Sequence, residues 1–293
     1  MLMRHDYCIP CILKMSLEII RGVTKDEKQV KKFMGEILSL SSLKEGSSKV
    51  TAPEIVEEIW RKMQKIAKDD DPLKTIKAEQ NQKALNIYPF VKEILLESND
   101  PVLEAMRWAI AGNSIDAMLD AKKGMDGKIL SLLSGTNQKY VEELKTRLEK
   151  TKKLVYFGDN CGEIVFDKLL IETFHMMYGI EVIFVTRTKP ILNDATLKDA
   201  LSVGLDEVAT VIENGIKEPL PGTVLAKVSS AVRTHVEQAD LIISKGGGNY
   251  ETLSEEESLK GKITFLFQAK CYPYCSIHSV PLGALIVYNN YCE

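Results

Sequence analysis

The chain has 293 residues, of which 45% are hydrophobic and 27% are charged, a composition typical of a globular protein with one large or two smaller domains. Its net charge of -3 gives no support for nucleic-acid binding, which usually leaves a strongly basic footprint. No apolar run approaches the roughly 18 residues that a membrane span needs, and charged residues interrupt any N-terminal signal sequence. We therefore expect a cytoplasmic protein with no nucleic-acid or membrane partner. Its six cysteines are then expected to be free thiols or metal ligands rather than disulfides.

Residues 1–150 carry the pattern of a helical domain. Segments 51–67 and 101–116 have apolar residues at three- and four-residue spacing, and no strong strand signal accompanies them. Thr51 with Glu54 predicts a capping box at the start of the first of these helices. Two polar breaks and a highly charged final helix complete this half, at residues 69–72, 123–128 and 140–152.

The pattern changes after residue 150, where short β-rich runs recur. Six strands are predicted, at residues 154–157, 182–185, 208–212, 241–243, 263–267 and 285–288. Most are separated by helix-length segments, which predicts a mainly parallel sheet with crossover helices. We therefore expect an α/β fold in which residues 151–293 form a three-layer Rossmann-like domain, preceded by the helical bundle.

The first predicted strand runs directly into a polar loop that carries Asp159 and Asn160 between two glycines. An apolar stripe at helical spacing follows the loop. In an open parallel sheet, ligands bind at the carboxyl ends of the strands. Carboxylate and carboxamide oxygens are hard ligands that suit Mg²⁺ or Mn²⁺. The simpler alternative is that both residues only cap the following helix.

Two further strand-end loops, residues 189–196 and 244–251, share this polar character. The first contains Asn193 and Asp194, and the second contains Lys245 followed by three glycines. Consecutive glycine amides can face an anion, and the lysine would add a charge for a phosphate, although a flexible surface loop is the alternative. Neither loop has the order of a Walker motif or a dinucleotide fingerprint. Three polar loops at one edge of a sheet predict an active site.

These loops resemble the motifs of the damage-control phosphatase family, also known as domain of unknown function family 89. The Asp-Asn-x-Gly-Glu motif of that family matches Asp159, Asn160, Gly162 and Glu163. The Lys-x-x-Pro-x-x-Asn-Asp-x-Thr motif matches Asn193, Asp194 and Thr196, with Lys189 and Pro190 in shortened spacing. The Lys-Gly-x-Gly-Asn-x-Glu motif matches Lys245, Gly246, Gly248, Asn249 and Glu251, and a Gly-Asn-x-x-Asp motif matches Gly112, Asn113 and Asp116. The resemblance spans nearly the whole chain.

The resemblance implies a phosphatase in which a divalent metal, Mg, Mn, Co or Ni, is held by Asp159, Asn160 and Asp194. Asn113 and Asp116 are i, i+3 neighbours on one helix face and would reach the substrate from the helical half; a helix-end cap plus a surface acid is the alternative. The expected catalytic set is Asp159, Asn160, Asp194 and Lys245. The other expected substrate contacts are Glu163, Lys189, Asn193, Gly246, Gly247, Gly248 and Asn249.

A Cys-x-x-Cys pair, Cys8 and Cys11, stands apart from these loops. Such a pair can be half of a zinc site, a redox pair or two unliganded thiols. Cys271 and Cys275, with His278, offer further ligands, and no thioredoxin-like strand precedes the pair. Unliganded, partly buried thiols are the leading interpretation, with a structural metal at Cys8, Cys11 and Cys271 as the alternative. The pair and a later Lys-Cys resemble the stand-alone prokaryotic branch of the family, which implies no role for them.

The leading hypothesis is a metal-dependent phosphatase for a small phosphorylated metabolite, such as a sugar phosphate or a damaged phospho-compound. Asp159 would orient a water or attack phosphorus itself. A methyltransferase or nucleotide-binding module is the rival, since similar sheets host both. The second strand, however, ends in the basic Arg187 and Lys189 rather than in an acid for a ribose. A non-enzymatic sugar-phosphate-binding protein is a third hypothesis, and the sequence gives no oligomeric state.

Overall fold

The computed structural model describes residues 5–44, 51–112 and 137–291. The helices described before the first strand are α1 His5–Val23, α2 Glu27–Leu38, α3 Ala52–Ala67, α4 Lys74–Glu97, α5 Pro101–Ala111 and α6 Gln138–Leu148. The strands are β1 Lys153–Phe157, β2 Glu181–Thr186, β3 Thr210–Glu213, β4 Leu241–Lys245, β5 Ile263–Gln268 and β6 Leu285–Asn290. The remaining helices are α7 Glu163–Tyr178, α8 Leu197–Ser202, α9 Ser230–Gln238, α10 Gly247–Leu253 and α11 Tyr272–His278.

The six strands form one sheet in the order β3-β2-β1-β4-β5-β6. Every neighbouring pair is parallel except β5 and β6, which run antiparallel. This confirms the predicted mainly parallel sheet, with all six strands close to their expected positions. The chain leaves β1 toward β2 and β3 on one side and continues through β4 to the other side. The strand order therefore reverses between β1 and β4, and such a switch point is where open α/β sheets bind ligands.

Helices cover both faces of the sheet, which confirms the three-layer arrangement. On one face, Tyr156 and Phe184 pack with the apolar sides of α4, α5, α6 and α7. On the other face, Phe157 and Phe265 pack with α9, α10 and α11. Because side chains alternate along a strand, consecutive residues such as Tyr156 and Phe157 enter different cores. The helices α4 to α6 of the first half thus share a core with the sheet.

The first three helices build a core of their own. Phe33, Ile59 and Trp60 are buried among them, and α3 begins with the predicted capping box of Thr51 and Glu54. One member of this core comes from elsewhere, because Ile191, in the loop that follows β2, is fully buried in it. A strand-end loop is therefore packed into the N-terminal helices. None of the helices that the structure describes is long and apolar enough to cross a membrane.

Candidate active site

The predicted loops after β1 and β2 lie against each other at the carboxyl edge of the sheet. Asn160 and Asp194 form an isolated antiparallel bridge. On either side of it, the Ala195 N–H donates to the Asp159 carbonyl at 2.8 Å and the Cys161 N–H donates to the Asn193 carbonyl at 2.8 Å. Backbone pairing therefore fixes the spacing of the three residues expected to hold a metal.

Asp159 and Asp194 are both buried beside each other. Burial raises the pKa of Asp159 well above its usual value, and the charges of Asp194 and Glu163 raise it further. Burial also raises the pKa of Asp194, although the Arg187 guanidinium opposes this effect. Two desolvated carboxylates in one place are unfavourable unless a cation compensates them.

This donor set fits a divalent metal ion. Asp159, Asn160 and Asp194 offer carboxylate and carboxamide oxygens, which are the ligands of Mg²⁺-like cations. A nearby positive charge would also stabilise the ionised form of the two carboxylates. Gly246 makes room for the first of them, since a Cβ there would overlap the Asp159 carboxylate and φ is +80°. The metal itself remains a prediction.

Arg187, which the sequence analysis noted only as a basic strand end, is the central side chain of the site. Its Nε–H donates to Asp194 Oδ2 at 2.7 Å, and Nη1 donates to Thr223 Oγ1 and Asn249 Oδ1, both at 3.0 Å. Nη2 lies 3.6 Å from Asp159 Oδ1 and, within the described part of the chain, is buried without a hydrogen-bond partner. A buried guanidinium N–H without an acceptor is a donor that a bound anion can use.

Lys245 occupies a different kind of position from the one expected of a phosphate contact. Its Nζ is fully buried and donates to the Ala109 carbonyl at 2.8 Å, to Glu163 Oε2 at 3.2 Å and to Asp167 Oδ1 at 2.7 Å. Burial alone would lower the pKa of Lys245, but the charges of Asp167 and Glu163 raise it above its usual value. All three ammonium protons thus point to protein acceptors, and this geometry favours a positioning role over direct contact with phosphate.

The loop after β4 is tightly packed. A Cβ on Gly247 would lie 2.5 Å from the Tyr274 hydroxyl, and one on Gly248 would lie 3.1 Å from the Pro221 carbonyl oxygen. Asn249 is buried, and its Nδ2 donates to the carbonyls of Gly158 and Lys245 at 3.0 and 2.8 Å. Close packing therefore accounts for these residues before any ligand is considered, and their contact with substrate stays a prediction.

Two exposed lysines, Lys189 and Lys270, lie on the loops that follow β2 and β5 at the carboxyl edge of the sheet. Lys189 follows Arg187 by two residues, and Lys270 follows the end of β5. The Lys270 ammonium is close enough to Asp159 for its charge to lower the pKa of that carboxyl, against the larger effect of burial. The sequence predicts Lys189 as a substrate contact but assigns no role to Lys270, because the approach of Lys270 to Asp159 depends on the order of strands in the sheet.

Glu163 links the loop after β1 to the helical half. Its Oε1 accepts from Asn160 Nδ2 at 2.9 Å, while a Cβ on Gly112, at the end of α5, would lie 3.0 Å from its Cα. The predicted substrate residues Asn113 and Asp116 follow directly in sequence and lie outside the described residues. The chain thus enters their segment beside Glu163.

The N-terminal cysteine pair lies near Cys271. The rings of Tyr7 and Tyr272, each next to one of these cysteines, stack with centroids 4.6 Å apart. Burial raises the pKa of Cys271 to about 11, and the charges of Cys8 and Cys11 add to the effect. Across the described ranges, no group of three or more His, Cys, Asp and Glu side chains is arranged to hold a metal ion. The structural metal at Cys8, Cys11 and Cys271 therefore gains no support beyond this proximity.

Comparison with known proteins bears on nearly the whole chain. Residues 4–286 match the model of the damage-control phosphatase ARMT1-like domain. An uncharacterized protein of Methanocaldococcus jannaschii is 33% identical over 287 residues, covering 94% of this chain and 92% of the relative. A protein of Archaeoglobus fulgidus named damage-control phosphatase is 32% identical over 285 residues, covering 95% and 96%. The crystal structure of a family 89 protein from Pyrococcus horikoshii superposes with a TM-score of 0.85 at 27% identity, covering 99% of each chain.

Proposed function

Because the chain belongs to the damage-control phosphatase ARMT1-like family, we propose that it is a metal-dependent phosphatase that hydrolyses the phosphomonoester of a small metabolite. One observation carries the proposal most directly: the buried Arg187 Nη2 lies 3.6 Å from Asp159 with no hydrogen-bond partner in the described part of the chain. A hydrogen-bond donor for a phosphoryl oxygen and a carboxylate, side by side at the switch point of the sheet, are groups that phosphoryl transfer uses.

The divalent cation, Mg, Mn, Co or Ni, would be held by Asp159, Asn160 and Asp194. When bound, it would supply positive charge that neutralises the phosphoryl oxygens as the ester bond breaks. The remaining chemistry belongs to the chain. Arg187 Nη2 would donate to a phosphoryl oxygen, and the exposed Lys270 would add a second positive charge near Asp159.

We assign the step at phosphorus to Asp159. Its carboxylate either attacks phosphorus, which breaks the ester bond and leaves an aspartyl phosphate that water then hydrolyses, or accepts a proton from a water that attacks phosphorus and breaks the same bond. In both cases the metabolite leaves as its hydroxyl compound, with a proton taken from solvent, and both roles require Asp159 to be ionised. Burial opposes ionisation of Asp159, whereas the positive charges of Arg187 and Lys270 favour it. Lys245 holds the neighbouring Asn160 in place through Glu163: one Glu163 oxygen accepts from Lys245 Nζ and the other accepts from Asn160 Nδ2. We expect a sugar phosphate or a damaged phospho-metabolite as the substrate.

The test is a screen of phosphorylated metabolites after removal of metal by a chelator. Phosphate release is measured with Mg²⁺, Mn²⁺, Co²⁺ or Ni²⁺ added back singly. We expect release with at least one metal and none without. Asp194→Asn should lower kcat/KM by more than about a hundredfold, because even residues that only support metal ligands contribute 10- to 100-fold.

Asp206→Asn is the matched control, since Asp206 is an exposed aspartate of the same half. It should retain the activity of the unmodified protein. Metabolite binding without phosphate release under any metal would replace the proposal with a sugar-phosphate-binding protein. Release that survives Asp194→Asn at limiting metal would show that the metal ligands are misassigned.

A further inference from the structure

Helix α4 contacts both loops that carry the expected metal ligands. Asn81 is buried, and its Oδ1 accepts from the Gly162 N–H at 2.6 Å. Its neighbour Gln80 accepts, through Oε1, from Asn193 Nδ2 at 3.2 Å. Gly162 lies two residues after Asn160, and Asn193 precedes Asp194. Two consecutive residues of one helix thus bind one loop each.

A third residue of the same helix face secures the chain just beyond the second loop. Lys77 is fully buried, and its Nζ lies 2.8 Å from Asp71 Oδ2 and 2.6 Å from Asp199 Oδ2. Asp199 in turn accepts from the N–H and hydroxyl of Thr196, at 2.9 and 2.6 Å, and so caps α8. The segment that contains Asp194 is therefore held at both ends from α4.

The Gly162 amide explains why such support is required. Gly162 is buried with φ of +83°, directly before the first residue of α7, so its N–H precedes the hydrogen bonds of that helix. A buried N–H without an acceptor is strongly unfavourable, and Asn81 supplies the acceptor. Without it, the loop would have to rotate to bring this amide to water or to another acceptor.

We propose that Asn81, together with Gln80, is a positioning residue that sets the separation of the two metal-holding loops. Neither residue contacts the reacting atoms; each acts through Gly162 or Asn193 on the adjacent ligand. The proposal rests on the proposed metal site. It also assigns α4 a specific task, which is to couple the helical half to metal affinity.

The test is a titration of three α4 variants with Mn²⁺ in the absence of substrate. Electron paramagnetic resonance measures the concentration of free Mn²⁺ at each step. Asn81→Leu removes the acceptor at similar volume and should raise the Mn²⁺ dissociation constant by about tenfold or more, the range seen for residues that orient metal ligands. Asn81→Asp keeps an oxygen acceptor and should stay within about threefold of the unmodified protein. Asn86→Leu, the same substitution at an exposed position of α4, should change nothing.

A merely structural role gives a different result. In that case, Asn81→Leu lowers the midpoint of urea unfolding while the Mn²⁺ dissociation constant stays within about twofold, and the proposal is overturned. Should Asn81→Leu fail to fold, Gln80→Leu takes its place in the Mn²⁺ titration. Gln80 is only half-buried, and its loss leaves the hydrogen bond from the Gly162 N–H to Asn81 intact.

Amide hydrogen exchange separates this proposal from the proposed function. Asn81→Leu should speed exchange at Gly162 and at the paired amides of Cys161 and Ala195, whether or not metal binds. If the unmodified protein binds no Mn²⁺, the proposed metal site fails, and faster exchange at these amides still supports the role of Asn81. Unchanged exchange at all three amides overturns it.

Discussion

The carboxyl ends of β2 and β4 each carry a buried basic side chain, and the two are used in opposite ways. Lys245 directs all three ammonium protons to protein oxygens and is balanced by Glu163 and Asp167. Arg187 also binds the protein, but its Nη2 has no hydrogen-bond partner among the described residues and lies 3.6 Å from Asp159 Oδ1. We therefore expect Lys245 to stabilise the fold beneath the site and Arg187 to keep a donor for a ligand.

The sharpest test of this comparison is the removal of the donor on the Arg187 side. Arg187→Gln should lower kcat/KM by at least about a hundredfold, the size of effect seen when a donor to developing negative charge is lost. Arg187→Lys should recover little, because an ammonium cannot reproduce the fork that binds Asp194 and Thr223 together. Steady-state kinetics on the best substrate measure both. A variant within about threefold of the unmodified protein would show that Arg187 is only structural.

Substitution of Lys245 should mainly lower the free energy of unfolding. Lys245→Met leaves two buried carboxylates without their cation, so we expect the free energy of unfolding to fall by about 3–5 kcal/mol in urea titrations. The double variant Lys245→Met/Asp167→Asn should recover part of this loss, since one of the orphaned charges is then absent. An unchanged unfolding free energy with a loss of kcat/KM above about tenfold would instead restore Lys245 as the phosphate contact that the sequence suggested.

The pH dependence of stability tests the same buried charges, Lys245 with Glu163 and Asp167. Burial raises the pKa of Asp167 from 3.8 to about 6, in spite of its ion pair with Lys245. The folded state therefore binds the proton of the Asp167 carboxyl more tightly than the unfolded state does. The stability that this proton contributes is lost as pH rises from about 4 to about 6. The loss amounts to about 3 kcal/mol at most, at 1.36 kcal/mol per pKa unit. Urea unfolding from pH 4 to 7 should show this fall in the unmodified protein and a smaller one in Asp167→Asn.

The smallest effect is expected at Thr223, which only steadies the guanidinium. Thr223→Val removes one acceptor from Arg187 Nη1, but Asn249 Oδ1 continues to accept from the same group. We expect kcat/KM to fall by about threefold to tenfold, in line with one net hydrogen bond. Kinetics at saturating metal provide the measurement. A loss as large as that of Arg187→Gln would mean that Thr223 itself contacts the substrate.

The local features of the fold were predictable, because they depend on neighbouring residues. The apolar run that stops at Gly158 predicted β1, and the apolar stripe after the loop, with Phe166, Leu170 and Phe174 at helical spacing, predicted α7. The structure confirms both elements. The convergence of strand-end loops at one edge of a parallel sheet predicted that Asp159 and Asp194 lie together, and the structure places these residues side by side.

The features that depend on distant pairing were not predictable. The contact of Gln80 with Asn193 spans 113 residues, and that of Lys245 with Ala109 spans 136, so no local pattern signals either. A basic residue at a strand end predicts charge near the site. Whether that charge contacts a ligand or a buried carboxylate depends on which helix packs against it. For Lys245 the helix is α7, which supplies the carboxylates of Glu163 and Asp167.

The burial of Ile191 among the first three helices has a consequence for the order in which the chain matures. Synthesis delivers α1, α2 and α3 first, but the core that they form lacks this side chain until the loop after β2 has emerged. The Trp60 indole N–H likewise donates at 2.9 Å to the Pro190 carbonyl, 130 residues further along the chain. The N-terminal helices therefore reach their final packing only when the segment that carries Asp194 docks onto them. The earliest part of the polypeptide is thus completed by one of the later ones.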